Sequence, residues 1–401
     1  MLYTDELDYT LPPELIARHP VYPRDHSRLL VYRRGSDTID HCLFSDLPHL
    51  LSPGDLLIAN DTRVLPAKLS LTKQSGGRIT GLFIAEISAG IWRVLLRTRG
   101  RAAAGMRLTA RSEKGADVLC LKLLEREAEK GQWIVEVSDS RPAPEVLAAF
   151  GDVPLPPYIE KARELKPQSV ARHHPSASAV PPPRGATVEN ISDAQKFGRQ
   201  DACTTSNANG DNSSDAQNYQ TIYASAAGAL AAPTAGLHFT PEVFVNLQRR
   251  NIQRAFITLH VGLGTFLPVK AASLDQHPMH QETFMIPRTT VEKIREQKAL
   301  SGRVVLVGTT TVRTLETMAG VILDSSKSPE DFAGSTSLLI KPGFTFQLTD
   351  ALITNFHLPR STLLALVGAL TGMDRLKEIY QQAIARRYRF YSYGDAMLIL
   401  P

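Results

Sequence analysis

The stretch Arg303-Val304-Val305-Leu306-Val307-Gly308-Thr309-Thr310-Thr311-Val312-Arg313 decides the fold class. Four consecutive apolar residues predict a buried strand over Arg303–Val307, and one glycine then leads through threonines into a helix that runs through Met318. A strand buried on both faces belongs to a sheet covered by helices. The unpaired amides at such a helix start form a natural anion site, which the threonine hydroxyls and Arg313 would strengthen. Ordinary capping by threonine is the other reading.

Outward from this unit, strand and helix alternate. Arg254–Val261 reads as a strand, and Thr240 as the cap of a helix with Pro241 in its first position. Thr289-Thr290-Val291-Glu292 has the form of a capping box for a helix to about Leu300. Ser361–Leu370 and Asp374–Tyr388 read as the last helices, and Arg28–Tyr32 and Asp55–Asn60 as early strands. Between Val64 and Ser138 the pattern changes to short strands (Arg78–Ile87, Ile91–Thr98, Val118–Leu124, Trp133–Val137) separated by glycine-containing turns. This predicts a small β-barrel inserted in a mixed-sheet α/β domain. The α/β domain is expected to comprise residues 1–65 plus 218–401, with the barrel in 66–155. Residues 163–217 carry Pro181-Pro182-Pro183, a polar tail from Thr204 to Asp215 and one aromatic, Phe197, and read as a disordered insert. Its adjacent His173 and His174 read as solvated.

The 401 residues are 43% hydrophobic and 21% charged, enough to bury a core and incompatible with a wholly disordered or fibrous chain. The net charge of +5 permits a polyanionic partner without demanding one. Cys42, Cys120 and Cys203 have no paired spacing, which argues against a disulfide framework or a zinc site and fits a reducing compartment. Met1 to Tyr9 shows no leader pattern, and the most apolar stretch, Ser361–Met373, is too short to span a bilayer. A cytoplasmic protein without a membrane partner is expected.

Several polar clusters fall at strand ends. Asn60-Asp61-Thr62-Arg63 reads either as a ligand site at a strand's carboxyl end or as an Asx turn. Ala231 to Thr240 packs small residues around His238, for close approach either to a ligand or to a neighbouring element. Leu259-His260-Val261-Gly262-Leu263-Gly264-Thr265-Phe266 is neither a dinucleotide fingerprint nor a P-loop, but a turn of this kind can present amides to an anion. In His277-Pro278-Met279-His280-Gln281-Glu282, His280 and Glu282 would share a strand face and suit proton transfer, or His280 is structural; the spacing matches no zinc motif. Thr354 to Thr362 places Asn355 and His357 before a helix, and Tyr391-Ser392-Tyr393-Gly394-Asp395 either stacks a base or closes the core. Arg93, Arg97, Arg99, Arg101, Arg107 and Arg111 lie in a stretch between Glu86 and Glu113 that holds no acid, which suits phosphate contact.

Together these segments resemble the S-adenosylmethionine:tRNA ribosyltransferase-isomerase family of queuosine biosynthesis. The resemblance also runs through Leu11–Ala17, Arg24–Leu29, Pro53-Gly54-Asp55, Pro154–Ile159 and Tyr219-Gln220-Thr221. It implies an α/β domain with an inserted barrel. It further implies transfer of the ribosyl part of S-adenosylmethionine, a consumed substrate, to 7-aminomethyl-7-deazaguanine at the wobble position of tRNA. No metal or redox cofactor is expected, and the chain is expected to be a monomer.

On that chemistry His280 is the expected base, Glu282 its partner, and His238 a second acid–base group near adenine. Gly308, Thr309, Thr310 and Arg313 would hold the methionine carboxylate. Asn60, Asp61 and Arg63 would position the ribose or base, Asn355 and His357 would read a base edge or the amine, Tyr393 would stack, and Asp395 would accept from the acceptor ammonium. Thr234, Phe239, His260, Gly262 and Thr265 complete the expected pocket, and Arg97, Arg99 and Arg101 the expected tRNA contact. Two features depart from the family pattern: the 163–217 insert, and Asn218 where an arginine is common.

Overall fold

Apolar runs too short for helices form the centre of a nine-stranded mixed sheet. The computed structural model describes residues 2–98, 100–112, 117–128, 131–164, 212–262, 264, 269 and 271–401. The chain opens with β1 (Arg28–Arg33), β2 (Thr38–Leu43), α1 (Leu47–Leu50), β3 (Leu56–Asn60) and β4 (Thr62–Val64). The strands β5 (Lys68–Lys73), β6 (Arg78–Ser88), β7 (Ile91–Arg97), β8 (Arg107–Arg111), β9 (Val118–Arg126) and β10 (Gln132–Val137) follow. Next come α2 (Ala143–Phe150), β11 (Gly151–Asp152), α3 (Pro157–Glu164), α4 (Asn212–Asn218), β12 (Ala226–Ala229), α5 (Pro241–Arg249) and β13 (Gln253–Leu259). The last part holds β14 (Glu282–Ile286), α6 (Arg288–Ala299), β15 (Val304–Val307), α7 (Thr309–Leu323) and β16 (Phe332–Thr336). It ends with β17 (Ala351–Asn355), α8 (Thr362–Thr371), α9 (Met373–Ala385) and β18 (Ala396–Leu400).

The large sheet has the order β16-β14-β13-β3-β15-β17-β18-β1-β2. Its four central strands β13, β3, β15 and β17 are parallel, while β18 and β1 run the other way. Alternate residues of each strand enter opposite cores. Leu56, Ile58, Val304 and Leu306 pack under α6 to α9, while Leu57, Ala59, Val305 and Val307 pack under α1 and α5. Burial on both faces explains why β3 and β15 show no polar alternation.

The second sheet is a barrel. The order β5-β6-β7-β10-β9-β8 closes because β5 also pairs with β8, and closure removes the exposed edges. Trp92 fills its core edge-on to Phe83 at 5.1 Å. The chain leaves the large sheet along β4 and returns along β12, which pairs with β4 in parallel. The Gln220 amide clamps the exit, accepting from Val64 N at 3.0 Å and donating to Val64 O at 3.1 Å.

Two expectations need correction. Thr289 does not cap α6: the helix starts at Arg288, whose amide donates to Asp331 Oδ1 at 2.6 Å. The 163–217 segment is not uniformly unstructured. Arg163 ends in α3 and Asp215 in α4, joined by a two-pronged ion pair of 2.6 and 2.8 Å; residues 165–211, with His173 and His174, lie outside the described residues. Asn218 lies under Tyr22, whose hydroxyl donates to its Oδ1. Among the described residues no helix is long and apolar enough to cross a membrane.

Candidate active site

Parallel strands end at one edge, so β13, β3, β15 and β17 deliver their following loops to the same place. The antiparallel β18 brings the residues before it, Tyr391 to Asp395, to that edge as well. There the loops enclose a cleft of about 590 Å³, counting the space open to solvent. Val261 follows β13, Gly308, Thr309 and Thr310 follow β15, Asn355 ends β17 and His357 lies just after it. Pro233, Thr234, Tyr158 and Tyr391 complete the wall. No charged side chain stands among the described lining residues.

The start of α7 is open toward this cleft. Its N-cap is Gly308, at φ +86°, a conformation that a side chain would strain, and no side chain caps the helix. Thr311 and Thr314 turn their hydroxyls back to carbonyls of Val307 and Thr310, at 2.7 and 3.0 Å. The threonines therefore do not cap the helix, and the anion-site reading of this turn survives.

Asn60 is buried and joins three elements. Its Oδ1 accepts from Leu259 N and Thr62 N, at 3.0 and 3.1 Å, and its Nδ2 donates to Leu259 O and Thr310 Oγ1, at 3.0 and 3.2 Å. The Asx turn forms and the amide is saturated, so Asn60 shapes the cleft instead of contacting a ligand. Asp61 accepts from Thr258 Oγ1 at 2.6 Å, and burial raises its pKa. His260 pairs with Thr62 Oγ1 at 2.8 Å, its pKa lowered by burial against the opposing pull of Asp61. The ring leaves no room at Gly228, where a Cβ would come within 2.6 Å. Arg63 is exposed.

His238 is buried behind the cleft wall. Its Nδ1 lies 2.7 Å from Ser27 Oγ and its Nε2 3.1 Å from Asn355 Nδ2, while the ring stacks on Phe44. Both nitrogens are engaged, which suits positioning and not proton transfer to a ligand. His357 lies in the wall, with Nε2 2.8 Å from Thr354 Oγ1. Burial pushes the pKa of both histidines down to about 3.

Other expected site residues stand outside the described cleft wall. Strand β14 begins at Glu282, so strand alternation does not pair it with His280. Glu282 is buried, ion-paired with Arg313, and accepts from Gly262 N at 3.1 Å. Arg313 also donates to Leu338 O at 3.0 Å and is not part of the cleft wall. His280 is exposed, with its ring against Gly264. Asp395 is buried and accepts from Arg28 N, the Arg28 guanidinium and Arg389 N, so its charge is already balanced by Arg28. Phe239 is core, packed against Phe44, Phe244 and Tyr223. Tyr393 is buried beside Tyr219 and cannot stack on a base. Thr265 and Arg99 lie outside the described residues.

Tyr391 and Ser392, from the segment read as base-stacking or core-closing, line the wall, and so does Tyr158, which no local pattern assigned to a site. Tyr158 Oη and Ser392 Oγ are 2.6 Å apart, and the rings of Tyr158 and Tyr391 have centroids 4.8 Å apart. On the barrel, Arg93 is paired with Glu127 at 2.7 Å. Arg97, Arg101, Arg107 and Arg111 are exposed, and no ion pair involves them among the described residues.

These features define an α/β protein with an uncharged cleft at the carboxyl ends of parallel strands and a basic antiparallel barrel. The family model described as Queuosine biosynthesis protein matches residues 4–399. S-adenosylmethionine:tRNA ribosyltransferase-isomerase of Thermotoga maritima is 41% identical over 397 residues, 98% of this chain and 99% of that protein. The enzyme of the same name from Nostoc sp. is 41% identical, over 98% of this chain and 91% of its own length. A solved structure of S-adenosylmethionine tRNA ribosyltransferase from Thermotoga maritima aligns with a TM-score of 0.50 at 34% identity, covering 98% of this chain and 100% of that one. The chain belongs to this queuosine biosynthesis family of tRNA-modifying transferases.

The two buried histidines make stability depend on pH. Each is neutral when folded down to about pH 3, whereas its ordinary value is 6.5. Between those values the unfolded chain binds more protons, so stability is lost as pH falls from 6.5 toward 3. Replacement His357→Gln should flatten the dependence of unfolding free energy on pH by about 1.4 kcal/mol per pH unit. Urea denaturation at pH values between about 4.5 and 6 measures it; an unchanged slope contradicts a neutral buried His357.

Proposed function

We propose that this chain transfers and isomerises the ribosyl moiety of S-adenosylmethionine onto the amine of 7-aminomethyl-7-deazaguanine at the tRNA wobble position. The products are epoxyqueuosine in tRNA, adenine and methionine. The observation that supports the reading is the position and lining of the cleft: it sits at the strand ends, is lined by uncharged groups, and is reached by the open N-terminus of a 15-residue helix.

The sulfonium acidifies the C5′ protons, so a base of ordinary strength removes one. The resulting ylide lets adenine leave and the ribose ring open toward the epoxide; the acceptor amine then bonds to the sugar as methionine departs. Each demand has a counterpart in the chain. The amides of Thr309 and Thr310 suit the methionine carboxylate. An uncharged wall disfavours an ammonium, so the acceptor amine is kept unprotonated and nucleophilic. His280 is the proposed base, beside the loop whose Gly262 amide is held by Glu282. In this reading S-adenosylmethionine is consumed, and no metal or redox cofactor takes part. The exposed barrel arginines meet the phosphates of tRNA.

Donor labelled separately in the ribose and in the methyl group tests the reaction. Ribose label in tRNA is expected; methyl label indicates methyl transfer, and no label indicates RNA binding alone.

The barrel surface is tested by replacing Arg97, Arg101 and Arg107 together with alanine. Binding to tRNA should weaken, and the slope of log affinity against log salt should fall by about 2 to 3. An unchanged slope moves the tRNA surface elsewhere.

A further inference from the structure

We propose that Asn355 Oδ1 accepts the exocyclic amino group of the donor's adenine, with Tyr391 and His238 as the residues that position its amide. The inference rests on the reaction proposed above and specifies what the same cleft reads on its substrate.

Asn355 ends β17, is 2% exposed and lines the cleft. Its Nδ2 lies 3.2 Å from the Tyr391 carbonyl and 3.1 Å from His238 Nε2. A carbonyl only accepts, so the nitrogen of the amide must face Tyr391 and the flipped alternative is excluded. The second amide hydrogen then needs a lone pair at His238 Nε2, which puts the ring proton on Nδ1, facing Ser27 Oγ at 2.7 Å. Burial keeps His238 neutral, so this tautomer persists at neutral pH.

Tyr391 holds its carbonyl there at a conformational cost. Its φ is +70°, a left-handed value unusual for an aromatic residue. The peptide is fixed on both sides, by Tyr391 N donating to Phe356 O at 3.2 Å and by Gly394 N donating to Tyr391 O at 3.0 Å. Backbone strain at a cleft wall points to a function that the fold supports from elsewhere.

Both hydrogens of the amide are now spent, and its oxygen has no partner although it is buried. An unpaired buried acceptor is costly unless a ligand supplies a donor. The cleft it lines includes the aromatic and aliphatic side chains of Tyr158, Tyr391, Pro233 and Leu358, which suits a flat purine. No carboxylate stands in the described wall to balance an ammonium, so a neutral amino group fits and the methionine α-ammonium does not. Adenine offers that neutral amine at C6. A 6-oxopurine would set oxygen against oxygen.

Calorimetric binding to the full chain, with S-adenosyl-L-methionine and its 6-oxo analogue S-inosyl-L-methionine, tests the inference. The wild type should bind the 6-oxo donor roughly 100-fold more weakly. Asn355→Ala should bring the two within a few-fold, and His238→Ala, which frees the amide to swing, should lower the ratio without abolishing it. Equal affinities in the wild type overturn the proposal even if Asn355→Ala fails to fold. An undiminished ratio in Asn355→Ala also overturns it, and an undiminished ratio in His238→Ala removes His238 from the device. Ribose label reaching tRNA while the wild type ignores the 6-oxo change sinks this inference alone; absence of that label sinks the reaction itself.

Discussion

Everything at the carboxyl edge of the large sheet depends on how the end of β3 is closed. Where parallel strands stop, their last amides and carbonyls lose ladder partners and must find others. Asn60 answers this for two strands and a helix at once, binding Leu259 through both its N–H and C=O, Thr62 through its amide and Thr310 through its hydroxyl. A single saturated carboxamide thus fixes the ends of β3 and β13 and the first turn of α7 relative to one another. The cleft is the space those three elements leave.

The polar groups near the cleft divide into those that are satisfied and those that are not. Asp395 is spent on Arg28 and Arg389, Glu282 on Arg313 and Gly262, and His238 on Ser27 and Asn355. These hold loops in place at little cost, because a buried charge or ring that is fully paired does not seek another partner. Among the described groups that line the cleft, the start of α7 and the buried oxygen of Asn355 are left without a partner. They are the groups with capacity left for a substrate.

The legible part of this arrangement is the part written in local pattern. β15 is four apolar residues in a row, Thr240 does accept from Val243 N before Pro241, and the Gly-punctuated strands of the barrel fall close to their expected limits. Strands β2 and β16 escaped notice because they lie at the two edges of the sheet, with mostly exposed side chains and no apolar run. The place of Gly308, Thr309 and Thr310 was readable from the apolar strand before them, whereas Asn355 and His357 were read only as preceding a helix and joined the expected pocket through the family resemblance. The partners of the charged and imidazole groups were not readable. Glu282 meets Arg313 across 31 residues, and His238 meets Ser27 across 211 and Asn355 across 117. Spacing within a motif carries no information about such contacts, which is why His280 and Glu282 looked like a pair and His238 like an acid–base group.

The central claim is that the donor binds where the parallel strands end. A second cleft among the described residues lies at the opposite strand ends, lined by Leu57, Gln253 and Arg254. Amide hydrogen exchange with and without S-adenosylmethionine separates them most directly. Added protection is expected at residues 308–312, 354–358 and 391–392, and none at 247–254. Protection centred on 247–254, with the first turn of α7 unchanged, would contradict it.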